Sequence, residues 1–405
     1  MSRPLTAFPL SLLLAAATLM AADPAKRPIS HRDFDAWRSI SGATVSRDGK
    51  YLAYSYMPQD GDGDVIVREI ATGKEWKEGV GTLPPPPVTT VDNEGPPPAP
   101  RTVRIAFTSD SKYVVVGTYP LKADTQKAKK ERKRAEEMPK QGLLILKLGT
   151  AEATRLADVK SFQVPEKGGA WVAYLKEAPP EARPAAAAKA AEPAKDVVED
   201  QRRGSGTGTN GHATYGTDLV LRDLTKTENS ERVFASAAEY SFARDGRTLV
   251  WTVSSRKEEE NGVFAATPGS ADAPAALRAG KGKYSKITWD RAQTQLAFFM
   301  EKQGAWLWNR GGAAAVEVVN SKTAGVPQGM AVSDKGALTF SRDGKRLFVP
   351  VAPPAKEPPA AGGEPTASTE DKVLMDLWRW NDDAVQPIQK VRAARERNRT
   401  YRGVW

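Results

Sequence analysis

The sequence predicts an all-β fold, a β-propeller of four-stranded blades, and three observations predict it. A polar corner recurs: SRDGK at Ser46–Lys50 and again at Ser341–Lys345, with relatives in between. Each corner runs into an apolar stretch of strand length, and a second such stretch follows in most units. The spacing of the corners falls near 45 residues where no insertion intervenes, a period of blade size. A β-sandwich is the alternative architecture, and the internal period counts against it.

Six units follow in order. The first is SRDGKYLAYSY with the second strand DVIVREI from Asp64. The second is TSDSKYVVVGTY from Thr108, followed by GLLILKL from Gly142. A weaker copy, VPEKGGAWVAYL from Val164, is followed by DLVLRDL from Asp218. FARDGRTLVWTV starts at Phe242, and TWDRAQTQLAFFM at Thr288 leads to GAWLWNR from Gly304. FSRDGKRLFVPV from Phe340 leads to DLWRWND from Asp376. The anchoring acids are Asp48, Asp110, Glu166, Asp245, Asp290 and Asp343. Asp bonds nearby backbone and Gly accepts positive φ, so the repeated pair is a hairpin corner with a structural role rather than a catalytic one. TYRGVW at Thr400 reads as the start of a further strand, so six blades are visible and the ring is expected to be incomplete. An uncovered blade face of about 500 Å² forgoes roughly 12 kcal/mol of burial at most. Self-association through open propeller edges is therefore expected.

Residues 1–22 read as a signal peptide, with Arg3 before a short apolar run, Phe8–Met20, and small residues Ala21 and Ala22 before Asp23. That run is too short to span a bilayer, and no later run is long enough, so no membrane span remains after cleavage. Residues 23–405 form the propeller, interrupted by low-complexity insertions at 83–100, 121–140, 178–216 and 352–371. The first, third and fourth are Pro-, Ala- or Gly-rich and cannot bury enough to order themselves. The second, charged and without an apolar stripe, is expected to be a solvated helix projecting from blade two.

The chain has no cysteine, which excludes disulfides, thiolate chemistry and Cys-ligated zinc. Its formal charge of +10 is concentrated in Lys122–Lys140 and Lys390–Arg402. These are local, solvated charge runs rather than a basic face with interleaved aromatics, so no nucleic-acid partner is expected. DGDGDV at Asp60–Val65 has Val65 and Ala71 where a calcium loop needs Gly and Glu, and reads as a hairpin turn. GSGTGTNG at Gly204–Gly211 lacks the lysine of a phosphate loop. There is no G-x-S-x-G, and the two histidines, His31 and His212, have no metal-ligand spacing and no rigid partner. The sequence offers no catalytic, cofactor-binding or metal residues.

Three blocks resemble exported bacterial serine peptidases of the prolyl oligopeptidase family. They are ISHRDFDAWRSISGATVSRDGKYLAYSY from Ile29, KAKKERKRAEEMPKQGLLILKL from Lys127, and DLWRWNDDAVQPIQKVRAARERNRTY from Asp376. The resemblance implies a propeller that restricts access to a C-terminal α/β-hydrolase domain carrying Ser, Asp and His. That domain is missing from these 405 residues, and no position here matches a family catalytic residue. The expected function is thus the substrate-gating propeller portion of a periplasmic or secreted peptidase, with peptide as substrate only through the missing hydrolase domain. A stand-alone periplasmic scaffold for protein–protein interaction is the alternative. Sialidase-type Asp boxes do not fit, since Asp245 and Gly246 are adjacent.

Overall fold

The computed structural model describes residues 29–30, 33–34, 37–84, 101–150, 152–178, 215–226, 231–354, 379–381, 384–385, 388–389, 392, 395–396 and 398–405. Residues 1–22, both histidines, Gly204–Gly211 and most of insertions 83–100, 178–216 and 352–371 lie outside the described residues.

The described strands form six blades by antiparallel pairing of neighbours in sequence. Blade one is β1 (Arg38–Val45), β2 (Tyr51–Pro58), β3 (Gly63–Glu69) and β4 (Glu75–Gly81). Blade two is β5 (Ile105–Phe107), β6 (Tyr113–Thr118), β7 (Gly142–Lys147) and β8 (Glu152–Leu156). Blades three and four share one seven-stranded sheet, made of β9 (Val159–Gln163), β10 (Trp171–Lys176), β11 (Thr217–Asp223), β12 (Glu231–Phe242), β13 (Leu249–Val253), β14 (Gly262–Ala266) and β15 (Ala275–Ala279). β12 belongs to both blades. Glu231–Phe234 pairs with β11 as the outer strand of blade three, and Ala237–Phe242 pairs with β13 as the inner strand of blade four. The change of partner is made at Ser236, whose φ is +56°. Blade five is β16 (Tyr284–Trp289), β17 (Gln295–Met300), β18 (Gly304–Asn309) and β19 (Val316–Asn320).

Blade six departs from the pattern. Its inner strand is broken into β20 (Ala331–Val332) and β21 (Thr339–Phe340), both paired with one edge of β22 (Leu347–Ala352). β23 (Tyr401–Val404) pairs with the other edge. The second strand expected at DLWRWND is therefore supplied by TYRGVW instead. Residues 379–381 form a turn in which Trp380 is almost fully exposed, and residues 376–378 lie outside the described residues. Lys286 holds the broken strand: its ammonium donates to the Asp334 and Gly336 carbonyls, and its amide donates to Glu239 Oε2 at 2.6 Å. One residue thus ties blades four, five and six.

The core lies in the seams between blades, because a strand buried on both faces sends alternate side chains to two neighbours. On β7, Leu144 and Leu146 pack toward blade one, while Leu143 and Ile145 pack toward blade three. On β17, Leu296, Phe298 and Met300 fill the seam with blade four, and Ala297 and Phe299 the seam with blade six. This is why GLLILKL and QLAFFM read as continuous apolar runs. β2 differs. Ala53 and Met57 are buried against blade two, whereas Leu52, Tyr54 and Tyr56 alternate with them on a half-buried face. The five core clusters fill the five seams between consecutive blades, and none of them joins blade six to blade one.

The insertion at 121–140 is not one projecting helix. It folds as α1 (Lys122–Lys130), followed by a single 3-10 turn at Ala135–Glu137. Its start is docked on blade one: Asp62 Oδ1 accepts the Lys122 amide at 2.9 Å, and Asp60 takes the Lys122 ammonium at 2.6 Å. DGDGDV is the β2–β3 turn, as its spacing predicts, and its carboxylates are spent on this docking and on Arg38.

The repeated pentapeptide is the corner between the first two strands of a blade. Ser46 donates its hydroxyl to Asp48 Oδ1 at 2.6 Å and accepts the Tyr51 amide at 2.9 Å, while Asp48 Oδ1 also accepts the Lys50 amide. Thr108 with Asp110, and Ser341 with Asp343, repeat these bonds. The fourth corner residue has positive φ in each: Gly49, Ser111, Gly246, Gln293 and Gly344 lie between +55° and +72°. This geometry corrects one alignment. Asp290 stands in the place of Ser46, not of Asp48, because its amide meets the Gln295 carbonyl and its Oδ1 takes the Gln295 amide at 2.7 Å. Glu166 caps no such turn. Its carbonyl receives Arg47 and its carboxylate faces Arg244 at 3.5 Å.

Candidate functional site: a groove opposite the corners

Antiparallel pairing puts the first-to-second strand corners at one end of the blades. The second-to-third strand turns and the blade-to-blade connections lie at the other. The corners are welded to one another. Asp48 donates its amide to Ser111, Ser109 and Gly169 exchange two bonds, the Lys167 amide meets the Arg244 carbonyl, and the Arg244 amide meets Gln293 Oε1 at 2.7 Å.

The other end is open. A groove of about 1150 Å³ runs over blades two to four. One wall is Glu136–Lys140, from the insertion after β6. The second is Glu177 and Ala178 with Tyr215 and Gly216, at the two ends of the third insertion, and the third is Ser255–Lys257 with Glu260. Asp158 and Ser236, both at positive φ in the blade-to-blade connections, form part of its floor. A second hollow of about 480 Å³ shares Tyr215, Ser255 and Arg256 and extends over blade five to Lys283, Glu301 and Lys302.

The groove is rigid where hydrogen bonds hold it. Asn261, almost fully buried, accepts the Ser255 amide at 2.7 Å and donates to the Gly282 carbonyl at 2.9 Å, fixing the loop that presents Arg256. The Gly216 amide donates to the Ser254 carbonyl, and Lys140 reaches the Ala178 carbonyl. Arg256 lies over the Tyr215 ring at 5.4 Å. Charged groups of both signs line the walls, beside the apolar Met138, Pro139 and Tyr215. Backbone groups, an aromatic ring and mixed charge in a wide, open trough suit an extended polar ligand better than a small apolar one.

The groups whose proton affinity is strongly displaced lie elsewhere. Burial pushes Tyr240 up to about 12, with Ser161 as its hydrogen-bond partner between blades three and four. Burial also raises Tyr174, beside Glu231. The described groove residues include no hydroxyl paired with an imidazole, and no group of three metal-ligating side chains occurs among the described residues. Among them, too, no helix is long and apolar enough to cross a membrane. Sequence reasoning named no site residue and missed the groove, because its walls come from segments that interrupt the repeat. Tyr215 and Arg256 stand 41 residues apart in sequence with no shared motif.

No family model matches the chain, and no curated protein does. Solved structures similar to it include a prolyl endopeptidase, at 14% identity and a TM-score of 0.37, with 79% of this chain and 40% of that one covered. This chain thus spans well under half of that enzyme. The β-propeller domain of the trilobed protease from Pyrococcus furiosus is similar at 8% identity and a TM-score of 0.36, over 79% of each chain. An oligogalacturonate lyase in complex with manganese is similar at 13% identity and a TM-score of 0.37, over 77% of this chain and 73% of that one. At these values the propeller assignment rests on the strand pairing and the seams.

Proposed function

We propose that this chain is the substrate-gating propeller portion of an exported serine peptidase of the prolyl oligopeptidase family. It acts on peptides together with a C-terminal α/β-hydrolase domain that these residues do not include. The observation that carries the reading is the groove: an open trough built from the ends of insertions, with an aromatic and backbone lining and no nucleophile–base pair among its described residues. Such a surface can hold and admit an extended chain while leaving cleavage to another domain. The three sequence blocks that resemble the family span the same chain. Export through residues 1–22 would place it in the periplasm or outside the cell.

The test uses a fluorophosphonate serine probe on the product of the complete locus and on residues 23–405 alone. Labelling of the complete product at a G-x-S-x-G serine, with none on 23–405, supports the proposal. Labelling of 23–405 overturns it. A locus that encodes no hydrolase domain turns the reading to the scaffold alternative, which the half-buried Leu52, Tyr54 and Tyr56 face favours as a surface for another protein.

A further inference from the structure

The corner end carries a feature that the groove does not explain. Arginine holds the second corner position in blades one, four, five and six, as Arg47, Arg244, Arg291 and Arg342. The first two are spent on Glu166. Arg291 and Arg342 are exposed and have no hydrogen-bond or ion-pair partner among the described residues. Yet they line one open surface hollow of about 320 Å³, together with Asp290, Ala292, Asp343 and Gly344.

The cavity has a physical origin in the repeat. At two other seams the fourth corner residue of the following blade sends a side chain onto the preceding corner. Ser111 Oγ accepts the Asp48 amide, and Gln293 Oε1 accepts the Arg244 amide. At the seam of blades five and six that residue is Gly344, which has no side chain to offer, and Asp290 Oδ2 lies 3.3 Å from where its Cβ would be. The amides of Arg291 and Ala292 are left without an acceptor among the described residues, beside two free guanidiniums. The acids present are committed in part. Both Asp290 oxygens are bonded, to the Gln295 amide and the Thr294 hydroxyl, and Asp343 Oδ1 takes the Ser341 hydroxyl and the Lys345 amide.

We propose that this cavity is an oxyanion site, in which Arg291 and Arg342 clamp a carboxylate or phosphate group against the corner amides of blade five. Planar guanidinium forks match two-oxygen anions, and successive backbone amides in a turn add a concave donor surface. Asp343 Oδ2, which accepts no hydrogen bond from the described residues, opposes the anion and limits its affinity. The site lies at the end away from the groove and does not depend on the peptidase reading.

Calorimetric titration of the full chain tests it, with inorganic phosphate and with a short N-acetylated peptide in acid and amide forms. Saturable binding is expected, weakened about tenfold in Arg291→Ala and in Arg342→Ala, as the loss of a charge-assisted fork predicts. Asp343→Asn, which keeps the turn acceptor and removes the opposing charge, should tighten binding about threefold. Phosphate binding alone assigns the site to a free anion; binding of the peptide acid but not its amide assigns it to a peptide carboxylate. No saturable binding of either probe by the unaltered chain, or an affinity in the two arginine variants equal to that of the unaltered chain, with unchanged near-UV circular dichroism, overturns the proposal.

Discussion

The two ends of this propeller obey different rules. At the corner end one short sequence is used again and again, its polar side chains turned inward onto their own backbone and onto the next corner. At the groove end no sequence repeats, and the walls are lengths of chain that interrupt the blades. The comparison teaches where a repeat fold keeps its stability and where it has room for recognition. Corners that bond one another cannot vary without breaking a seam. Turns that face only water can lengthen at little thermodynamic cost.

Breaking the corner end should have the largest effect. Gly246 has φ +71° and sits against the Lys167 backbone, with the Gly168 Cα 3.1 Å from where a Cβ would be. Gly49 has the same φ, +72°, with nothing within 4 Å. Gly246→Ala must both adopt a left-handed conformation and push two corners apart, a loss of about 3 kcal/mol or more. Gly49→Ala bears the conformational term alone, about 1 kcal/mol. Urea midpoints of the two variants measure the difference, and equal midpoints would break the claim that the corners are jammed together.

Acid should act next, and on the corner end. The Ser46 hydroxyl holds Asp48 below the ordinary carboxylate range, and the Ser341 hydroxyl does the same for Asp343. Burial raises Asp245, but the Arg310 guanidinium and the Arg247 amide outweigh it and leave the group lowered. A carboxylate depressed in the folded state contributes stability above its unfolded value of about 3.9, and that stability is lost as pH falls through the folded values. Stability should therefore hold from neutral pH to about 5 and decline below about 4. Ser46→Ala should shrink that decline, as read from urea midpoints across the pH series.

The smallest effect on stability belongs to the groove. Arg256→Ala removes an exposed side chain from the Tyr215 ring and should shift stability by no more than about 0.5 kcal/mol. It should weaken binding of a fluorescently labelled unfolded peptide severalfold, since it takes one charged side chain from a wall of the trough. A large loss of stability in this variant would erase the distinction between the two ends.

The strands that could be read in the sequence are those with a simple pattern. YVVVGT, GLLILK and QLAFFM were legible because both their faces are buried, and alternation of YLAYSYMP was legible because one is. β14, with GVFAA, carries small residues and gave no such signal. The sequence puts Asp290 two places off in its corner because an acid can serve either as the first residue, accepting two donors, or as the third. The groove was not legible at all, since its residues have no common spacing.

The sequence alone determined the blade: strand, corner, strand, with the positive-φ residue at the fourth corner position and the acid that caps the turn. Those are local matters, set by side chains bonding backbone a few residues away. Tertiary structure decided which corners touch, which arginines are spent on Glu166 and which stay free, and that one strand, β12, serves two blades. It also decided that separate insertions should wall a single groove. These depend on contacts between residues many positions apart, which no local pattern encodes.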